Sequence, residues 1–264
     1  MNNGQHRGRL RERTLQNQPM CIYCGGTAKA EQVDHMPPRT IFALRDRPAG
    51  LEFSACPGCN QGSRDDELAV SVFSRMYPDP ETVEEETEVA GLFAKVAQRL
   101  PDLLVQMQPT PEQIRKFQAR SGQLPVNANP LNANGDLINS AMFRFGAKLG
   151  QALHYEKTGV ILPAAGTIAV RWFTNYQAFT DEIPAKLREI IGPVATLRQG
   201  KKEVSRQFAY TWAHIPDGSG GVYMARFREA FLTVTFVSTG SFRVDLGSDT
   251  SGIFRPGYLK EAKA

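Results

Sequence analysis

Cysteine is scarce in this chain. There are four, and none lies beyond position 59 of the 264 residues. Histidine is equally rare, limited to His6, His35, His154 and His214. No stretch approaches the roughly 18 consecutive apolar residues of a membrane helix, so no membrane span is expected. The N-terminus lacks the apolar core of a signal peptide, which points to a cytoplasmic setting where thiols stay reduced and paired cysteines more often mean metal than disulfide. There is no internal repeat. Charge of one sign is also missing in bulk: 31 Lys and Arg face 27 Asp and Glu, and a net +4 is weak support for a polyanionic partner. With 41% hydrophobic residues, the chain can bury a core and is not a disordered polymer.

The charge is unevenly spread. Arg7, Arg9, Arg11 and Arg13 stand near the N-terminus against Glu12 alone, while Asp79, Glu81, Glu84, Glu85, Glu86 and Glu88 form an acidic stretch. Residues 1–19 read as a flexible basic arm that either follows a phosphate backbone or only aids solubility. Residues 20–80 hold the cysteines and end in a helix, with Ser63 and Asp66 as its cap and Leu68, Val72, Phe73, Met76 and Tyr77 at helical spacing. Residues 81–264 form a region of unread role. Helices are expected at 83–100 (closed by Pro101), 111–119 and 136–157, with an Asn- and Pro-rich loop at 122–135. The period then moves toward two. Strands are expected at 168–179, 207–214, 222–227 and 231–237, the middle pair joined as a hairpin. The fold class is therefore α+β, helices first and an antiparallel sheet second.

Cys21 and Cys24 are three apart, as are Cys56 and Cys59. Two such knuckles present four sulfurs to one ion, the geometry of a closed structural Zn2+ site. Gly25-Gly26 and Pro57-Gly58 suit the required turns. The 31 residues from 25 to 55 are more than a plain zinc ribbon needs, and they contain Val33-Asp34-His35-Met36-Pro37-Pro38-Arg39. Asn60 follows the second knuckle at once. A hard divalent ion takes oxygen ligands, which Asp34 and the Asn60 amide can supply. A neutral imidazole on His35 can take a proton from water. Those are the parts of metal-assisted phosphodiester hydrolysis.

The runs CIYCGG, VDHMPPRTIF and ACPGCN resemble the HNH endonuclease family in its four-cysteine form. The resemblance covers roughly residues 15–70 and implies a zinc-stabilised ββα fold around a single catalytic Mg2+ or Mn2+. It implies that His35 is the general base and that Asp34 and Asn60 hold the ion. The family's middle Asn should fall near Gly50 or Leu51, neither of which can replace it, which puts the bracing of the histidine loop in question. GSRDDE and LGQALHYEKTGVILP look like segments of bacterial and phage proteins known only as HNH endonucleases, which suggests a phage or anti-phage context.

The expected activity is a metal-dependent endonuclease acting on nucleic acid, with DNA favoured. Arg39 and Arg64 flank the motif and either bind phosphate or are surface charge. The rival is a zinc module that binds nucleic acid without cutting. A third reading leaves the module as a staple, with function in residues 82–264 as an interaction domain or an unrecognised enzyme. A protein partner or homo-oligomer fits either role. Asp65, Asp66 and Glu67 are expected only to favour the start of their helix. His154 is expected near a helix end or in the core, and Trp172 and Trp212 in the sheet core.

Overall fold

The computed structural model describes residues 3–120, 130–188, 194–240 and 252–261. The order of elements follows from two periodicities. Up to Thr158 the apolar residues recur every three or four positions, and beyond it they alternate.

The N-terminal segment carries helix α1 (Asn3–Asn17) rather than an unstructured arm. Next come two short antiparallel strands, β1 (Gln32–His35) and β2 (Glu52–Ala55), with Asp34 opposite Phe53 and His35 opposite Glu52. Helix α2 (Pro57–Gln61) starts with Pro57 at its first position and Cys56 as N-cap, as suits a residue without an amide hydrogen. Helix α3 (Arg64–Arg75) follows. Ser63 does not cap it through its side chain; the hydroxyl donates instead to Glu67 Oε1 at 2.7 Å.

Helix α4 (Val83–Arg99) occupies the expected span, capped by Thr82 accepting from the Glu85 amide. Leu92 and Val96 are its buried residues. Pro101 opens a further helix, α5 (Pro101–Gln106), because proline is tolerated in the first turn. Helix α6 spans Pro111–Arg120. The first part of the expected loop at 122–135 lies outside the described residues. Helix α7 (Asp136–Thr158) ends at Gly159 with φ +69°, a left-handed cap that glycine adopts without strain. It is buried on nearly every side, including Lys148, Gln151 and His154.

Strand β3 (Thr167–Thr174) is shorter than expected. Thr174 and Gln177 form a reciprocal cap that starts helix α8 (Asn175–Phe179), and this overrides the β-branched pattern. Helix α9 (Ala185–Arg188) and the small ribbon of β4 (Arg198–Gln199) and β5 (Lys202–Glu203) precede the hairpin. Strands β6 (Phe208–His214) and β7 (Gly220–Phe227) pair as expected, followed by β8 (Phe231–Ser238) and β9 (Ile253–Phe254). The larger sheet runs β6-β7-β8-β3-β9, all neighbours antiparallel.

Helix α7 packs between this sheet and the cysteine-bearing elements. The close approach requires glycine: a Cβ on Gly150 would run into the Thr235 side chain, and one on Gly146 would sit 2.6 Å from Val170 Cγ1. Trp172 lies in the sheet and meets Phe73 edge-on at 5.9 Å, tying α3 to it. One buried cluster extends from Cys21 to Leu259, so the apolar core is continuous across the boundary expected near residue 81. No helix among the described residues is long and apolar enough to cross a membrane.

Gly150→Ala is expected to lower stability by about 1–3 kcal/mol through overpacking. Gly91→Ala, on α4 with nothing within 4 Å of the added carbon, is expected to raise it by about 0.5–1 kcal/mol. Denaturant titration of both variants checks the pair.

Candidate functional site

The four cysteines come together. Cys21 and Cys24 lie in a turn that Gly25 and Gly26 close at φ +68° and +69°, with the Cys21 amide donating to Ala28 at 2.8 Å. Cys56 and Cys59 lie at the start of α2. All four are buried, and their sulfurs lie within 4.8 Å of one another. Sulfurs about 2.3 Å from a tetrahedral zinc stand about 3.8 Å apart, so the cluster fits a metal ion such as zinc. Cys21 accepts a hydrogen bond from the Cys59 thiol, which lowers its pKa to about 5 and raises that of Cys59. Burial also pushes Cys56 up. A cation would hold the set as thiolates, as metal ligation requires.

The C-terminal segment closes over this cluster. The Gly257 amide donates to the Tyr23 carbonyl at 2.8 Å, and the Lys260 stem runs past Gly58. Burial would lower the Lys260 pKa, but the neighbouring Cys24 sulfur outweighs it and the net shift is upward.

Beside the cluster lies a cleft of about 490 Å³ lined by Leu10, Arg11, Gln32, Val33, His35, Arg39, Asn60 and Arg64. Four residues singled out from the sequence therefore meet here: His35, Arg39, Asn60 and Arg64. His35 ends β1, its side chain 30% exposed. Arg39 Nη2 donates to His35 Nε2 at 3.0 Å. Since guanidinium only donates, the ring proton is assigned to Nδ1, which has no hydrogen-bond partner among the described residues and stands 3.9 Å from Glu52 Oε1. Burial, then Arg47 and Arg39, lower the His35 pKa to about 4. The ring is therefore neutral at pH 7, the state a proton acceptor needs.

The side chain expected of the middle Asn has no counterpart. Gly50 turns at φ +89°, and Leu51 contributes its carbonyl to the Met36 amide at 3.2 Å. Arg47, which the sequence did not single out, braces the loop instead. Its Nη1 donates to Glu52 Oε1 at 2.7 Å, its Nε to the Pro37 carbonyl at 3.2 Å, and its Nη2 to the Leu51 carbonyl. No local pattern marks Arg47, because its partners are joined only by the path of the loop.

Asp34 does not line this cleft. It is 5% exposed, accepts from the Tyr23 hydroxyl at 2.7 Å and pairs with Lys148 Nζ at 2.9 Å. Both contacts fall on Oδ2. Tyr23 and Lys148 hold this carboxylate oxygen on the buried side of β1. Asn60 does face the cleft, its amide nitrogen donating to Gln32 Oε1 at 2.6 Å. Among the described residues, the cysteines are the only cluster of three or more His, Cys, Asp or Glu close enough to share an ion.

Lys148 organises the buried side. Besides Asp34 it contacts Glu67 Oε1 at 2.6 Å and Ser63 Oγ at 2.9 Å, and it lies over the Tyr23 ring at 5.1 Å. Burial would lower the Lys148 pKa, but Asp34 and Glu67 outweigh it and raise it. Burial also raises Glu67. Asp66 pairs with Arg144 Nε at 3.1 Å. Asp66 and Glu67 lie in the first turn of α3 as expected, and they serve in addition as ion-pair partners of basic residues more than 75 positions away.

His154 and His214 do not line the cleft. His154 is fully buried with Nδ1 3.0 Å from the Tyr223 hydroxyl, a core residue as expected. His214 lies at the exposed end of β6. The His6 side chain lies outside the described residues. No protein-family model, curated protein or solved structure matches the chain.

Two outcomes are expected. Lys148→Met leaves the buried Asp34 and half-buried Glu67 carboxylates without a cation and is expected to cost about 3–5 kcal/mol in denaturant unfolding. His35 is expected to titrate near pH 4 rather than at the ordinary 6.5, as followed by imidazole NMR with His35→Ala for assignment. The folded state then binds fewer protons than the unfolded one between those values. The stabilisation from His35 is present above about pH 6.5 and is lost as pH falls through about 4.

Proposed function

We propose that the protein is a metal-dependent endonuclease of the HNH type that hydrolyses nucleic-acid phosphodiesters, DNA in preference. The observation that carries this reading is the meeting of a neutral imidazole, two arginines and an amide in one cleft beside a four-sulfur cluster. In the proposed chemistry, His35 Nε2 takes the proton of the attacking water once Arg39 turns to the phosphate. Arg39 and Arg64 hold the phosphate oxygens and offset their charge. Arg47 and Glu52 keep the His35 loop in position. Cys21, Cys24, Cys56 and Cys59 would hold Zn2+, which would staple β1, β2 and α2 in a ββα arrangement like the family's. Asn60 would hold Mg2+ or Mn2+, which would polarise the phosphate, and Asp34 would join it by turning its carboxylate from Lys148 and Tyr23. Four buried free thiols suit a cytoplasmic protein.

One observation favours the rival, a zinc-containing module that binds without cutting: the Asp34 carboxylate is engaged by Tyr23 and Lys148. The test is cleavage of supercoiled plasmid by the full-length protein with Mg2+, Mn2+ or chelator, beside His35→Ala. The nuclease reading expects metal-dependent nicking that falls by about 10²–10⁴-fold in the variant, the usual contribution of a general base. Binding without nicking under all these conditions would favour the rival, and nicking that survives in His35→Ala would remove His35 as the base.

A further inference from the structure

Helix α1 has almost nothing to pack against. Of its described side chains from Gly8 to Asn17 none is buried, and only Thr14 and Leu15 are half-buried. It is held by polar contacts: Ser54 Oγ donates to the Thr14 carbonyl at 3.2 Å, and Arg11 Nη2 to the Glu31 carbonyl at 3.0 Å. A helix this polar and exposed gains little from burial, and its arginines are left open to solvent. Glu12 is its only acidic residue. Such a surface suits a negatively charged partner.

The arrangement of the arginines narrows the partner further. Leu10 and Arg11 line the cleft that holds His35, Arg39 and Arg64. Arg9 and Arg13 are both exposed and lie four residues apart, so they form one ridge. At 3.6 residues per turn that ridge points about 200° away from Arg11, on the opposite side of the helix. A single strand would engage one such side, and would ask for stacking aromatics, which the cleft lining lacks. Two phosphate ridges flanking one helix are what the DNA major groove offers: it is about 12 Å wide, close to the ~10–12 Å diameter of a helix with its side chains. The major groove of duplex RNA is too narrow and deep for this.

We infer that α1 seats in the major groove of duplex DNA, with Arg11 holding the strand that enters the cleft and Arg9 and Arg13 holding the strand across the groove. This rests on the nuclease reading for the role of the cleft, and adds the form of the substrate. Arg9 and Arg13 act as docking residues. They carry no sequence information by themselves, since guanidinium–phosphate contacts fix register only.

The test is the salt dependence of binding to a short fluorescent DNA duplex, by the full-length protein without added divalent ions. Arg9→Gln/Arg13→Gln is compared with wild type and with Arg9→Lys/Arg13→Lys. Two lost phosphate contacts should make the slope of log K against log salt shallower by about 1.8, at about 0.9 per contact. The lysine pair should keep the wild-type slope. An unchanged slope in the glutamine pair, or tighter wild-type binding to the single strand than to the duplex, overturns the inference. The two readings fail separately. The expected slopes without any metal-dependent nicking would leave docking standing and remove the nuclease, whereas nicking with an unchanged slope would do the reverse.

Discussion

One buried ammonium holds the two halves of this molecule in register. Lys148 projects from the middle of α7 into the seam between β1 and α3, where Asp34, Glu67, Ser63 and the Tyr23 ring surround it. A lysine that deep is tolerated only because two carboxylates and a hydroxyl compensate its lost hydration. The geometry follows from there. With Asp34 drawn inward, the adjacent His35 lines the cleft together with Gln32 and Val33 of the same strand. The cysteine cluster fixes the same small sheet from its other end, through Cys21 and Cys24 before β1 and Cys56 and Cys59 after β2. The C-terminal turn then locks against the cluster through Gly257 and Lys260.

This division of labour gives residues beyond 81 a physical role. The five-stranded sheet carries no cleft-lining residue. It supplies a rigid surface on which α7 lies close, because Gly146 and Gly150 remove the side chains that would keep them apart. Helix α7 in turn delivers Arg144 and Lys148 to Asp66 and Glu67. The larger region acts as the scaffold of the small one.

Much of the fold was legible in the sequence because local signals ruled it. The cysteine spacing, the α4 and α7 periods, the Gly159 cap and the β6–β7 hairpin all depend on residues close in sequence. Ser63 holds the N-cap position of α3, but its hydroxyl is taken by Glu67 and Lys148; Pro101 closes α4 as expected and also opens α5; and a reciprocal cap at Thr174 ends β3 short of its expected span. The site was half legible. His35, Arg39, Asn60 and Arg64 lie within thirty positions and meet in one cleft, whereas the fate of Asp34 was decided by Lys148, 114 positions away. Arg47 and Glu52 escaped notice for the same reason on a shorter scale.

The central claim is that a metal-stapled unit presents one hydrolytic cleft and the rest of the chain supports it. The most direct measurement is the plasmid-nicking rate as a function of zinc content, at fixed Mg2+, on one preparation depleted and then refilled with zinc. The expected result is a rate that rises in proportion to zinc bound and levels at one zinc per chain. A rate indifferent to zinc content, or no nicking at full zinc occupancy, would contradict it.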